Sequence, residues 1–255
     1  MIKIAVTMVV VIGLSIIAER VSPKLAGLLA GYPHGIAIVL YFIGAEQGVE
    51  FASRAALYAI GGLSANVALC YAYSRLCRTR SLANVILAAA GSVVVFLFVS
   101  AVLQRLPLSA LFASLLTLGM IALIYALLRH TEEIKLLTKT RLGVIAVFAR
   151  AVLAAGIVLL ITGLADKIGP DWAGLLAGFP IVTFPLLLII HHDHGPAPVH
   201  TMIRVYPIGL IALLVYALTT SLTFPVIGIG LGTLAGFGVA TIYLIGLKLV
   251  SGSLR

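Results

Sequence analysis

Nine apolar runs, each near the length of a bilayer core, follow one another along this chain with only short polar breaks between them. They fall at 2–18, 24–45, 51–74, 82–104, 108–128, 143–165, 171–190, 201–222 and 225–247. A hydrocarbon core takes roughly 20 helical residues to cross. Inside it every backbone polar group must be bonded internally, which leaves helices or a closed barrel of short alternating strands. Runs of this length and pattern favour helices. The sequence therefore predicts an all-α integral membrane protein of about nine transmembrane helices. Composition agrees, with 62% hydrophobic and 10% charged residues, too little charge to cover a soluble domain.

The segment Met1 to Pro23 has the outline of a signal peptide, with Lys3 and an apolar run from Ile4 to Ala18. It lacks a convincing small-x-small cleavage site, and it recurs inside the chain. It is expected to be the first span. Cys70 and Cys77 lie two turns apart on one helix, too far to bridge, and are expected to be packing residues.

Residues 18–48 align with 165–195 without a gap, at a constant offset of 147. Ala26-Gly27-Leu28-Leu29-Ala30-Gly31-Tyr32-Pro33 faces Ala173-Gly174-Leu175-Leu176-Ala177-Gly178-Phe179-Pro180, Glu46 faces Asp193, and Gly48 faces Gly195. Lys3 and Arg150 share the offset. Self-similarity of this kind marks a duplicated unit.

Orientation comes from Lys and Arg in short loops. Arg75, Arg78 and Arg80 cluster after span three, Arg129, Lys135, Lys139 and Arg141 after span five, and Lys248 and Arg255 after span nine. Placing all three groups in the cytoplasm leaves Arg105, the Glu46–Arg54 turn, Asp166–Asp171 and the Thr219–Thr223 turn outside. The N-terminus is then outside and the C-terminus inside. Spans one to four run opposite to spans six to nine, giving an inverted repeat of four, one and four spans. The expected division is 1–106, a connecting span and loop at 107–141, and 142–255. A bacterial or archaeal cytoplasmic membrane is the expected location.

Ser22-Pro23 and Gly169-Pro170 suit helix starts. Gly27, Gly31, Gly174 and Gly178 give small-xxx-small faces that let backbones approach. Pro33 and Pro180 then fall near mid-span, where each removes an amide donor. Matching Gly/Pro interruptions in two inverted halves point to a transporter binding site; the alternative is a pair of kinked packing helices. The candidate binding residues are Gly31, Pro33, His34, Gly178, Pro180 and Thr183. Asn66 and Ser64 lie inside span three, near the breaks. His34 can titrate or bind an anion, but freed carbonyls at a kink would satisfy it equally well.

All eight carboxylates lie at span ends, which argues against a buried-carboxylate relay. Glu46 and Asp193 match across the repeat and are expected on opposite faces, as entrance residues or as plain helix-end carboxylates. Arg150 lies in an otherwise apolar run. By analogy with Lys3 it is expected to snorkel to the interface; facing inward, it would favour an anionic substrate. With Glu46 and Asp193 it completes the set of candidate gating or ion-coupling residues. The His191-His192-Asp193-His194 run is expected to be a solvated helix end, because adjacent residues rarely converge on one metal ion. No metal or cofactor motif is found, and no convergent catalytic set suggests an enzyme. The basic run Arg75–Arg80 is expected to contact anionic lipid, not nucleic acid.

The run Pro23-Lys24-Leu25-Ala26-Gly27-Leu28-Leu29-Ala30-Gly31-Tyr32-Pro33, followed by Glu46-Gln47-Gly48, resembles the small four-span bacterial inner-membrane proteins of the GlpM type. The resemblance covers about a quarter-length stretch in each half. It implies a fused, duplicated relative in which span five inverts the second half. It departs from the family at Tyr32-Pro33-His34-Gly35, where a Thr-containing stretch like Pro180-Ile181-Val182-Thr183 is expected. It bears on topology more than on activity. Two functions remain: a secondary transporter or facilitator of a small solute, an anion favoured, or a non-transporting assembly subunit. Membrane lipids and the solute are the expected partners, and a homodimer is allowed.

Overall fold

A computed structural model describes residues 2–20, 32–128 and 143–253. Gly31 and the basic loop from Arg129 to Arg141 lie outside the described residues, as does Arg255. Every regular element described is an α-helix: α1 (Ile2–Arg20), α2 (His34–Gln47), α3 (Val49–Leu76), α4 (Leu82–Gln104), α5 (Ala110–Leu128), α6 (Val144–Ala177), α7 (Thr183–His194) and α8 (Pro196–Ser253). Among the described residues five helical stretches are long and apolar enough to cross a membrane: Val49–Leu76, Leu82–Gln104, Ala110–Leu128, Ile145–Ala177 and Gly209–Leu247. The chain is a helical membrane protein.

Burial sorts the helices into a centre and a shell. Ala52, Ala55, Ala56, Ala59, Gly61, Gly62, Ser64, Ala65 and Asn66 of α3 are all buried, so this helix is covered on every side. Its small residues admit neighbours at backbone distance. By contrast, α4, α5 and the second arm of α8 present Leu82, Ile86, Phe98, Leu111, Leu234 and Ile242 outward. An apolar exterior around a core of small and polar residues is what a lipid solvent allows.

Four glycines break the run of helices with a positive φ. Gly48, Gly169, Gly195 and Gly228 have φ/ψ of 91/172, 78/170, 82/−169 and 77/172, a region open essentially to glycine alone. Each separates two helical stretches. Gly48 N–H closes the last bond of α2 on Gly44 O, and Gly48 O accepts the first bond of α3 from Ala52 N–H. The chain folds back there: a Cβ on Gly44 would lie 3.1 Å from Ala52 Cβ. At Gly228 the reversal is as sharp. A Cβ on Gly236 would lie 2.8 Å from Tyr216 Cδ2, although twenty helical residues span about 30 Å. α8 is therefore a hairpin of two arms.

This corrects the expected turn at Thr219–Thr223. Those residues stay helical, with their hydroxyls satisfied on their own helix, Thr219 to Val215 O at 2.8 Å, Ser221 to Leu218 O at 2.8 Å and Thr223 to Thr219 O at 2.8 Å. The reversal comes at Gly228, 147 residues after Ser81, the residue that caps α4 by accepting from Asn84 N–H at 3.2 Å.

α3 packs most extensively on α8, and hydrogen bonds tie both ends of this contact. Ser53 Oγ donates to Ser221 O at 2.8 Å, and His200 Nε2 meets Ser74 O at 3.0 Å. Position 200 is 53 plus 147, and 221 is 74 plus 147. The second bond thus joins the two positions displaced by 147 from those of the first.

Candidate functional site

Both helix breaks have one backbone design. Pro33, at φ −78 and ψ 38, centres an inverse γ-turn, closed by His34 N–H on Tyr32 O at 2.8 Å. Ile181 N–H closes the same bond on Phe179 O at 2.8 Å around Pro180. Proline suits the position because its ring already fixes φ there and it has no amide to lose. Helix resumes identically, Ala37 N–H bonding Pro33 O at 3.0 Å and Phe184 N–H bonding Pro180 O at 2.7 Å. Each bond recurs at the offset of 147. The chain between α6 and α7, from Gly178 to Val182, is not helical. Pro180 thus interrupts its helix outright.

The breaks cross. A Cβ on Gly35 would stand 3.3 Å from Ile181 Cβ and 3.5 Å from Val182 Cγ2. Each aromatic residue of the breaks packs against a helix distant in sequence. Tyr32 stacks on Phe237 at 5.5 Å, and Phe179 meets Phe96 edge-on at 5.1 Å. Gly174 and Gly178 let this segment lie directly on the α3 backbone at Ala55 and Gly62.

Breaking a helix in a membrane frees carbonyls that need donors. Asn66, fully buried, donates from Nδ2 to Gly178 O at 2.9 Å and to the Tyr206 hydroxyl at 3.3 Å. Thr183, at the start of α7, is buried as well. Arg150 Nε donates to Val182 O at 3.2 Å. Arg150 is only 8% exposed, so the expectation that it snorkels is overturned. Lys3 sits where the chain begins α1, but Arg150 lies inside α6, with the second break within reach of its side chain. His34 is half-buried with its ring 4.7 Å from that of Tyr32.

Glu46 and Asp193 occupy opposite ends of α3 and do not reach the crossing. Glu46 pairs with Lys3 at 2.6 Å, and Lys3 also bonds Thr162 at 2.9 Å. Asp193 pairs with His192 at 2.8 Å. The solvated reading of the histidine run holds for His192 and His194, but not for His191. That residue is 0% exposed, held by the Tyr73 hydroxyl and Thr79 O at 3.0 Å each. Its ring lies inward where α7 meets the end of α3. Among the described residues no three His, Cys, Asp or Glu side chains could share a metal ion.

The structure thus brings together Pro33, His34, Gly178, Pro180, Thr183 and Arg150, and adds Asn66 and Tyr206. An Asn within an apolar span is itself a functional signal. Tyr206 carries no such mark in the sequence. The chemistry gathered here is donor-rich and cationic, suited to holding an acceptor or an anion. No protein-family model, curated protein or solved structure matches this chain.

Proposed function

We propose that this protein is a secondary transporter or facilitator of a small anionic solute, which passes where the two helix breaks cross. The observation that carries the reading is the contact of Gly35 with Ile181 and Val182, which joins two interruptions of identical hydrogen-bond pattern. Paired broken helices at a repeat interface are the architecture in which secondary transporters bind their substrates. Arg150 and Asn66 supply charge and donors there, and Thr183 and His34 complete the polar lining.

The reading includes nine crossings, with two of them broken and two in α8, arranged as inverted repeats of four around α5. The exchanged pair Ser53–Ser221 and His200–Ser74 supports it, because a two-fold axis requires that if i meets j then their counterparts meet as well. Loop charge supports an N-terminus outside and a C-terminus inside a bacterial or archaeal cytoplasmic membrane. Descent from a duplicated GlpM-type ancestor belongs to the same proposal and rests on the paired motifs.

A second reading has its own observation. The freed carbonyls of Gly178 and Val182 already have protein donors, which suits a rigid packing joint in an assembly subunit. Stopped-flow light scattering of proteoliposomes separates the two. Challenged with salts of small inorganic and organic anions, they are expected to show protein-dependent flux above that for matched neutral solutes. Flux indistinguishable from empty liposomes across the panel overturns transport in favour of the joint.

A further inference from the structure

Where α3 ends and α8 begins, an open cleft of about 380 Å³ lies between Ser74, Arg75, Cys77 and Arg78 on one side and Pro196 and His200 on the other. Its walls are anchored. His200 Nε2 meets Ser74 O. Asn84 Oδ1 accepts from Arg78 N–H at 2.8 Å and Thr79 N–H at 3.0 Å, and Asn84 Nδ2 donates to Leu76 O at 3.0 Å.

Three sources make the cleft electropositive. The Arg75 and Arg78 side chains are exposed, Pro196 and His200 lie in the opening turns of α8 at the positive end of its dipole, and no carboxylate is among the lining residues described. Burial pushes the Cys77 thiol up to about 12, so it adds no negative charge at neutral pH.

The same junction exists at the other end of α3 without those charges. Counting by 147, Ser74, Arg75, Cys77 and Arg78 correspond to Ser221, Leu222, Phe224 and Pro225, and Pro196 and His200 to Val49 and Ser53. The tie is retained there as Ser53 Oγ to Ser221 O. The junction therefore folds with apolar residues in place of both guanidiniums. A general Lys/Arg excess on one membrane face accounts for their number, but not for their convergence with an imidazole and a helix start on one cleft.

We propose that this cleft binds a phosphate group, supplied by the headgroup of an anionic phospholipid in the leaflet it faces. Guanidinium forks match phosphate oxygens in pairs, and basic pockets between transmembrane helices take such headgroups. Asn84 links Arg78 to the first turn of α4, where Leu82 and Ile86 are exposed for acyl chains to cover. The cleft is larger than a bare phosphate needs and leaves room for a glycerol moiety. Naming the cytoplasmic leaflet rests on the orientation above; the chemistry of the cleft depends neither on that nor on transport.

The test is the thermal unfolding midpoint of purified protein in neutral detergent, titrated with short-chain phosphatidylglycerol, short-chain phosphatidylcholine or inorganic phosphate. Wild type is expected to show a saturable rise with phosphatidylglycerol alone. Apparent affinity should fall at least about tenfold in Arg75→Gln/Arg78→Gln and stay unchanged in Arg105→Gln, an exposed cation at the far end of α4. Should the double variant not fold, the single variants Arg75→Lys and Arg78→Lys are each expected to weaken binding while leaving the lipid-free midpoint in place. A rise with inorganic phosphate equal to that with phosphatidylglycerol supports the phosphate site but overturns the lipid as its source. Equal response to phosphatidylcholine, or undiminished phosphatidylglycerol binding in the charge-removed variants, overturns the proposal.

Discussion

Gly35 lies against Val182, the residue 147 positions further along the chain, with only van der Waals distance to spare for a Cβ. Across a two-fold axis, only residues beside the axis meet their own counterparts, so this contact marks where the two halves would be related. Substituting Gly35 by Val should force the breaks apart, at a cost of about 1–3 kcal/mol for overpacking. Unfolding in mixed detergent micelles is the measurement, with Gly119→Ala as control, because a Cβ there meets nothing within 4 Å. A Gly35→Val variant as stable as the control would mean that the breaks do not meet as described.

The positive-φ glycines make a second expectation. Gly48→Ala and Gly195→Ala put a Cβ where φ is 91° and 82°, a strain of order 1–3 kcal/mol each. Gly163→Ala, also with nothing within 4 Å, should be neutral or slightly stabilising. The comparison of unfolding midpoints isolates backbone conformation from packing, because a Cβ on Gly48 also meets nothing within 4 Å.

Asn66→Leu removes the donor to Gly178 O and to the Tyr206 hydroxyl. An unsatisfied buried carbonyl costs about 1–3 kcal/mol, so the melting midpoint should fall. Asn66→Asp keeps the shape and, protonated, one O–H donor, so it should fall less far. If Asn66→Leu matches wild type, the capping account is wrong.

Arg150→Gln should retain the fold and lose anion flux by at least about tenfold, while Arg150→Lys keeps the charge without the planar fork and falls between. Proteoliposome flux, normalised to reconstituted protein, reads this directly. Unchanged flux in Arg150→Gln would remove Arg150 from the solute path.

The cysteines should be silent in the folded protein. Both are buried, and thiol reagents require the thiolate. For Cys77, with its pKa raised to about 12 by burial, the thiolate is scarce at neutral pH. Maleimide at pH 7.5 should label neither residue until the protein is denatured.

Much of this fold was legible in the residues because lipid leaves so few solutions. The span 82–104 matches α4 at both ends, and the Gly/Pro interruptions fall where two γ-turns form. Side-chain direction was less legible. Hydropathy gives Arg150 and Lys3 the same place in their repeats, but only packing tells which one turns inward. The Thr219–Thr223 cluster looks like a turn because its hydroxyls are polar, yet hydroxyls can satisfy themselves on their own helix. His191 is buried because Tyr73 and Thr79, more than a hundred residues away in sequence, meet it. No local pattern carries that information.

The central claim is that water and solute reach the crossing of the breaks. Single cysteines at Pro33, His34, Pro180 and Thr183, in a background lacking Cys70 and Cys77, test it in native membranes with a membrane-impermeant thiol reagent. The account predicts labelling at these sites from at least one side of the membrane, reduced when a transported anion is present. Silence at all four, with cysteines at Glu46 and Asp193 labelled normally, would contradict it and leave the crossing a dry packing joint.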